Sequence, residues 1–277
     1  MIPSRQQVHQ IAYDDNSLAV VSKSGFQLLD NLSNERPDWF EYWPIRRFLL
    51  NTELSDDAWY GFFSPRFQEK TGLNASGVFQ VIEELEVRHG ELDAVLFSPQ
   101  PDMGAFFINV FEQGEMFHPG LMEISRNVLN YLGFKVPIET MVMDSRQIVF
   151  SNYFVAKSNF WRRWFAVTEA IFQIAEAEDH PLADALNTGT SYREGSQQKV
   201  FLVERIASLL LSLESGWRAA SADTFSFAWS AFQSLNGSPE RAYQSDALKM
   251  AFRETGVFRY MEAYQTIRRN IGRPDEA

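Results

Sequence analysis

Two opposite charges stand inside a helix-like apolar run in the second half of the chain. Glu204 and Arg205 lie between Phe201 and Leu210, where almost every other residue is apolar. Burying a charge is costly, so Glu204 is predicted to be paired, cleft-facing or protonated. Arg205 is a poor direct partner, because adjacent residues of a helix point in different directions. A cleft-facing carboxylate can serve as an acid or base; a structural ion pair is the alternative.

A second candidate site follows a predicted buried strand, Trp59 to Phe63. That run opens directly into Ser64 and Arg66, with Lys70 shortly after. At the carboxyl edge of a sheet these residues would present a hydroxyl, a guanidinium and an ammonium group to an anionic ligand. The alternative is that Arg66 and Lys70 form the exposed side of one helical turn together with Glu69.

An early segment of the chain mixes aromatic and basic residues. Its aromatic rings could stack on a base or a sugar ring while Arg46 or Arg47 reaches a phosphate, since a guanidinium donates in a bidentate geometry. In the alternative interpretation the arginines are solvated and the rings belong to the core. Those rings are Trp39, Tyr42 and Trp43.

Two more polar residues stand in loops. Asp102 follows the apolar run from Asp93 to Phe97, which has the length of a central strand, so Asp102 is placed beyond its carboxyl end. His118 could act as a base, or it could cap the following helix, and the cap is favoured because the sequence offers the imidazole no partner. The four histidines have no metal-ligand spacing.

Several common chemistries have no sequence signature in the chain. It lacks a phosphate loop, a Gly-x-Gly-x-x-Gly, a Gly-x-Ser-x-Gly and a His-Glu-x-x-His motif, and it contains no cysteine. These absences weigh against ATPase, dehydrogenase, serine hydrolase and zinc protease functions. Thiol catalysis, disulfides and cysteine-bound zinc are excluded.

The overall charge limits the partners. A formal net charge of -11 repels polyanions, and no basic run offsets it, so nucleic acid is not expected to bind. A small anionic ligand could still bind where arginines, backbone N–H groups or a metal ion reverse the potential inside one cleft. No apolar stretch is long enough to span a bilayer and the first residues lack a signal-like apolar region, so we expect a cytoplasmic protein.

The order of predicted elements favours an α/β fold. Strands and helices alternate through the first half, and such a sheet binds ligands beyond the carboxyl ends of its strands. Residues 148–156 could add a strand, and the remainder is predicted to be helical. We expect one domain over residues 1–277, with a sheet-rich part at 1–156 and a helical part at 157–277. The predicted elements, in chain order, are strand 8–13, helix 38–50, strand 59–63, helix 74–89, strand 93–97, and helices 118–132, 157–177, 197–213, 239–253 and 257–270.

A resemblance to a known family rests on the order and spacing of weak elements between residues 8 and 213. The residues that carry it are Asp30, Asn31, Tyr42, Trp43, Arg46, Arg66, Asn152, Lys157, Glu204 and Arg205. In this order they resemble a group of bacterial polysaccharide-biosynthesis proteins with a GT-A-like glycosyltransferase fold. The chain departs from the group by having Ser64-Pro65-Arg66 where a His-Tyr-Arg-Arg type of turn is usual, and by lacking an Asp-x-Asp motif.

The resemblance implies a mixed sheet flanked by helices and transfer of a sugar from a nucleotide-sugar donor to a capsule or O-antigen type of glycan. Under it the ten matched residues and Ser64, Lys70 and Asp102 form the site. Tyr42, Arg46, Arg66 and Lys70 are expected to hold the base and the diphosphate. Asp102 is expected to position the donor or a cation, with Glu204 as acid/base group or sugar-hydroxyl acceptor held by Arg205. No metal ligand is assigned. Dependence on Mg²⁺ or Mn²⁺ stays open, because the chain lacks the Asp-x-Asp motif whose two carboxylates would hold such an ion.

Other functions remain open. The chain could be a non-catalytic module that binds a glycan or a protein partner, or a scaffold subunit of a biosynthetic complex. The aromatic and basic run from Phe160 to Phe165 fits association with an anionic membrane surface, but the acidic residues that follow it weaken that interpretation. The expected partners are therefore the nucleotide-sugar and a glycan or lipid-linked glycan acceptor, with peripheral membrane association as an alternative setting.

Overall fold

The structure, a computed structural model, describes residues 5–192, 195–230 and 238–269. Within these residues the fold is α/β, with one mixed six-stranded sheet and twelve α-helices, about 54% helical. The predicted α/β class is confirmed. The predicted single domain also includes residues 1–4, 193–194, 231–237 and 270–277, which lie outside the described part.

The sheet runs in the order β2-β1-β3-β5-β4-β6. Strand β5 is antiparallel to both of its neighbours and all the other pairs are parallel. The carboxyl ends of β1, β3 and β4 therefore meet the amino end of β5 at one edge, which we call the ligand edge. The strands are β1 (Gln6–Ala12), β2 (Gln27–Asp30), β3 (Trp59–Phe63), β4 (Ala94–Leu96), β5 (Phe154–Lys157) and β6 (Ala219–Ser221).

Helices cover the sheet and fill most of the second half. Among the described residues, no helix combines the length and the apolar character needed to cross a membrane. Short 3-10 turns lie at Pro37–Trp39 and Thr224–Ser226. The helices are α1 (Asp15–Ser24), α2 (Tyr42–Asn51), α3 (Phe67–Thr71), α4 (Ala75–His89), α5 (Pro101–Phe106), α6 (Val110–Phe117), α7 (Leu121–Tyr131), α8 (Ser158–Glu176), α9 (Ala183–Asn187), α10 (Gln198–Leu213), α11 (Pro239–Thr255) and α12 (Arg259–Arg269).

The two faces of the sheet have separate apolar cores, because successive residues of a strand point to opposite faces. On β3, Tyr60 and Phe62 belong to a large cluster that includes side chains of α2, α8 and α10. Trp59 and Phe63 belong to a smaller cluster with α3 and α4. All five residues of β3 are buried, as the continuous apolar run predicted.

Two local predictions need correction. The helix predicted over 38–50 is interrupted: Phe40 has a φ of 47°, and α2 begins only at Tyr42, with Pro44 in its first turn where a missing N–H is tolerated. The part predicted to be helical contains β6, a three-residue run that pairs with β4. Three small residues carry too little periodicity to be recognised as a strand.

Helices α11 and α12 form a pair that packs against α5 at the ligand edge. The buried ammonium of Lys249 donates to Gly104 O (2.5 Å) and Phe107 O (2.9 Å), which satisfies carbonyl groups at the end of α5. The Tyr264 hydroxyl donates to Phe106 O (2.9 Å). The C-terminal helices thus fix the helix that follows β4.

Candidate functional site

A cavity of about 710 Å³ opens at the ligand edge. Its floor comes from residues just outside four strands: Tyr13 after β1, Ser64 after β3, Gln100 after β4 and Asn152 before β5. The start of α2 and one side of α10 complete its wall. A cavity beyond the carboxyl ends of parallel strands is the usual ligand position in such sheets.

The cavity brings together seven of the residues predicted from the sequence. They come from distant parts of the chain and include hydroxyl, basic, carboxamide and carboxylate groups. The seven are Tyr42, Ser64, Arg66, Lys70, Asn152, Glu204 and Arg205.

A hydrogen-bonded bracket joins Lys70, Ser151 and Glu204 on one side of the cavity. The Ser151 backbone N–H donates to Glu204 Oε1 (2.6 Å), and Lys70 Nζ donates to Ser151 Oγ (2.9 Å). Burial lowers the pKa of Lys70, while the nearby Glu204 charge opposes that shift. Glu204 is therefore hydrogen-bonded and also faces the cavity, as its place in an apolar helix predicted.

Arg66 fits both interpretations of its sequence. It lines the cavity, and its guanidinium also pairs with Glu69 at 2.7 Å on the first turn of α3. With 60% of the Arg66 side chain exposed, this pair holds the guanidinium only weakly. Arg66 can thus turn toward an anion in the cavity at small cost.

Arg205 is buried, with 3% of its surface exposed, yet it lines the cavity. It donates to Val110 O (2.8 Å), Phe201 O (2.6 Å) and Gln113 Oε1 (2.9 Å), and it forms no ion pair with a carboxylate among the described residues. The expectation that Arg205 holds Glu204 needs correction, since successive helical side chains diverge and the guanidinium turns toward α6. Burial lowers the pKa of Arg205, and the Glu204 charge partly offsets this.

Tyr42 and Ser64 line the cavity but make their main contacts within the protein. The Tyr42 ring is buried in the core against Trp39 and Trp164, at centroid distances of 5.2 Å and 5.8 Å. Of the two alternatives drawn from the sequence, the Tyr42 ring therefore follows the one in which it belongs to the core. The Ser64 hydroxyl shares a 2.5 Å hydrogen bond with the Tyr153 hydroxyl. Both residues line the cavity.

An aromatic end of the cavity was not identified from the sequence. The His118 ring stacks on Phe201 at 3.5 Å, and Tyr192 meets Phe201 edge to face at 5.6 Å. Burial, with a smaller effect from the Arg205 charge, lowers the pKa of His118 to about 4, so the ring is neutral near pH 7. His118 follows the last residue of α6 as its C-cap, rather than capping the helix after it.

Arg46 and Trp43 lie outside the lining of the cavity. Arg46 forms a bidentate pair with Glu169 (2.6 and 2.8 Å) and lies 3.9 Å above the Phe172 ring. Trp43 stacks on the same ring at 6.2 Å. The expected contact of Arg46 with a diphosphate is corrected, because the guanidinium is already neutralised by a carboxylate of α8.

Asp30 and Asn31 also lie outside the lining. Exposed Asp30 accepts a hydrogen bond from Leu32 N (2.9 Å), which closes a local turn. Asn31 is buried, and its backbone N–H donates to Ala12 O (2.8 Å) beyond the end of β2. In this structure the two residues stabilise the turn after β2.

Asp102 and Lys157 are displaced from the cavity for different reasons. Buried Asp102 accepts hydrogen bonds from both the backbone N–H (3.0 Å) and the hydroxyl of Ser230, which lines the cavity in front of it. Lys157 pairs opposite Trp59, at the other end of the sheet, with its ammonium 4.4 Å above that ring. Because β5 is antiparallel, its last residue lies at the edge opposite the cavity, and the expected ligand contact of Lys157 is corrected.

The described residues do not supply a set of ligands for a divalent cation. No group of three or more His, Asp or Glu side chains in this part of the chain is arranged to hold a metal. Mg²⁺ and Mn²⁺ require several hard oxygen ligands, and both oxygens of Asp102 are occupied by Ser230. The donor set does not fit such an ion, and we assign no step to one.

Comparison with known proteins adds no relative. The chain matches no protein-family model, no curated protein and no solved structure. Any function must therefore follow from the cavity and its residues.

Proposed function

We propose that the chain is a cytoplasmic GT-A-like glycosyltransferase that moves a sugar from a nucleotide-sugar donor to a capsule or O-antigen type of glycan. The observation that carries the proposal is one cavity that combines Arg66 and Lys70 with the carboxylate of Glu204. Its volume of about 710 Å³ is within the range of small-molecule sites. The mixed sheet with helices on both faces is compatible with this fold.

In this proposal the cations serve the leaving group. Arg66 offers a bidentate guanidinium and Lys70 an ammonium, the two groups that proteins use for phosphate oxygens. Both follow β3, so they approach the ligand edge from the same side. Negative charge grows on the diphosphate as its bond to the sugar breaks, and fixed positive charge stabilises that change.

Glu204 serves the acceptor. A hydroxyl oxygen of the acceptor forms a bond to the anomeric carbon while the bond from that carbon to the diphosphate oxygen breaks. The hydroxyl proton passes to the Glu204 carboxylate, and the diphosphate leaves with the bonding electron pair. The hydrogen bond from Ser151 N fixes the orientation of this carboxylate.

Thermal unfolding with a panel of nucleotide-sugars, with and without Mn²⁺, tests the proposal. Arg66→Ala should weaken binding of the stabilising donor by about 1.5–3 kcal/mol, the range for hydrogen bonds to charged groups. Its fold stability should change by no more than about 1 kcal/mol, since an exposed ion pair contributes little. Arg126→Ala is the matched control, because Arg126 pairs with Glu139 on the surface outside the cavity.

The outcomes are distinct. No stabilisation by any donor counts against a transferase. Equal donor affinity in Arg66→Ala and wild type would return Arg66 to the role of a solvated helix residue.

A second function, a non-catalytic glycan-binding module, is favoured by the aromatic end of the cavity. Tyr192, which packs against Phe201, is an exposed aromatic ring of the kind that packs on sugars, and this contact needs no reaction. Release of nucleoside diphosphate from the donor distinguishes the two functions. Slow hydrolysis supports an enzyme, whereas glycan binding without turnover supports the module.

A further inference from the structure

Backbone strain is concentrated around the cavity. Within the described residues, five non-glycine residues have a positive φ: Asn34, Phe40, Gln100, Ser151 and Asn152. All except Asn34 line the cavity. Side chains disfavour this left-handed region, and such residues persist where the surroundings enforce them, often at functional sites.

Ser151 and Asn152 are consecutive members of this group, with φ values of 59° and 53°. Side chains from separate elements enforce their turn. Glu204 accepts from the Ser151 N–H and Lys70 donates to the Ser151 hydroxyl, while Ser98 Oγ accepts from Phe150 N at 3.0 Å. The turn is therefore held at once from α3, from the loop after β4 and from α10.

The turn presents one polar group that the protein does not satisfy. Asn152 lines the cavity with only 8% of its surface exposed, and its Oδ1 has no hydrogen-bond partner among the described residues. Buried polar atoms are normally hydrogen-bonded, so an unpaired carboxamide at a cavity wall needs an explanation. Oδ1 has almost no exposed surface, so the carboxamide must first turn, after which a ligand that donates a hydrogen bond would supply the missing partner.

We propose that the Ser151–Asn152 turn is a sugar-recognition element, in which the Asn152 carboxamide accepts a hydrogen bond from a hydroxyl of the sugar carried by the donor. This inference rests on the proposed function and adds the residue that reads the sugar. Lys70 and Glu204 position the turn, besides their own parts in the reaction. The strain is then the cost of holding Asn152 at the wall of the cavity.

Asn152→Gly tests this, because glycine adopts a positive φ freely and carries no carboxamide. The melting temperature should equal or exceed that of wild type. Affinity for the nucleotide-sugar found by the donor panel should fall by about 10-fold, the effect of one hydrogen bond, while affinity for the matching nucleoside diphosphate, which has no sugar, should not change. Asn34→Gly is the matched control, since Asn34 is also left-handed (φ 40°) but lies outside the cavity.

Each outcome decides something. If wild type binds neither the nucleotide-sugar nor the nucleoside diphosphate, the proposed function and this inference fail together. If wild type binds both and Asn152→Gly binds both equally well, only the role of Asn152 is refuted. A variant that melts well below wild type, or loses both ligands to the same degree, would show that Asn152 maintains the fold of the turn and does not read the sugar.

Discussion

Replacement of Glu204 by glutamine separates the two roles that its contacts allow. The carboxylate accepts one hydrogen bond, from Ser151 N at 2.6 Å, and forms no ion pair among the described residues. A hydrogen bond to a charged group is worth about 1.5–3 kcal/mol and a neutral one about 0.5–1.5 kcal/mol. Glutamine keeps the acceptor oxygen, so the free energy of unfolding should fall by about 1 kcal/mol, well short of the roughly 3–5 kcal/mol lost when a buried ion pair is broken.

Turnover should respond far more strongly. The amide keeps the shape of the side chain but cannot take the acceptor proton, and a positioned acid or base contributes about 10²–10⁴-fold to a rate. Glu204→Gln should therefore transfer sugar at least about 100-fold more slowly, measured as release of nucleoside diphosphate in the presence of acceptor. Glu214→Gln is the matched control: Glu214 pairs with Arg163 (2.7 Å) outside the cavity, so it should lose stability without losing activity.

Two results would refute this reasoning. Wild-type turnover in a folded Glu204→Gln variant would leave the carboxylate as a structural acceptor for Ser151. A loss of about 3–5 kcal/mol in unfolding free energy would instead identify Glu204 as a member of a buried ion pair.

Two further predictions concern stability. Burial lowers the pKa of His9 and His118 to about 4, against 6.5 in the unfolded chain, so the unfolded state binds more protons between these values. The free energy of unfolding should thus fall by about 2 kcal/mol per histidine from pH 7 to pH 5. In urea unfolding, His118→Phe should lose only about half as much as wild type over this pH range, because only His9 still contributes. An unchanged pH profile in wild type would contradict the prediction. Gly114→Ala would place a Cβ 2.5 Å from Arg205 Nε and 2.6 Å from Leu121 Cδ2, so it should cost about 1–3 kcal/mol in thermal unfolding. An unchanged melting temperature would mean that α6 shifts freely.

The ligand edge could be located from the sequence because its signals are local. The apolar run of β3 ends abruptly at Ser64, and Arg66 and Lys70 follow at once, so their place beyond a strand end depends only on finding the strand. Glu204 was found in the same way, since a carboxylate in an apolar helix must face a cleft or a partner. These inferences use neighbours in sequence and a general rule of sheets.

Residues whose positions depend on distant partners could not be placed. The residues near Arg46 in sequence do not indicate its partner, Glu169, which lies on α8 and neutralises the guanidinium. Lys157 was misplaced because the reversed direction of β5 cannot be read from four residues. Tyr192 lies in a polar loop, and only the folded chain brings it against His118 and Phe201.

The electrostatics of the cavity connect these observations to ligand binding. The chain as a whole is strongly acidic, yet Lys70 and Arg205 bring positive charge to one buried edge. Burial lowers the pKa of both groups, which means that their charged forms are destabilised in the protein alone. An anionic ligand would add negative charge to that of Glu204, and a sugar hydroxyl would satisfy Asn152. The desolvated cations and the strained turn both lower the stability of the free protein. A single ligand with a diphosphate and a sugar would act on both: the diphosphate would neutralise the cations, and a sugar hydroxyl would donate to the carboxamide of the turn.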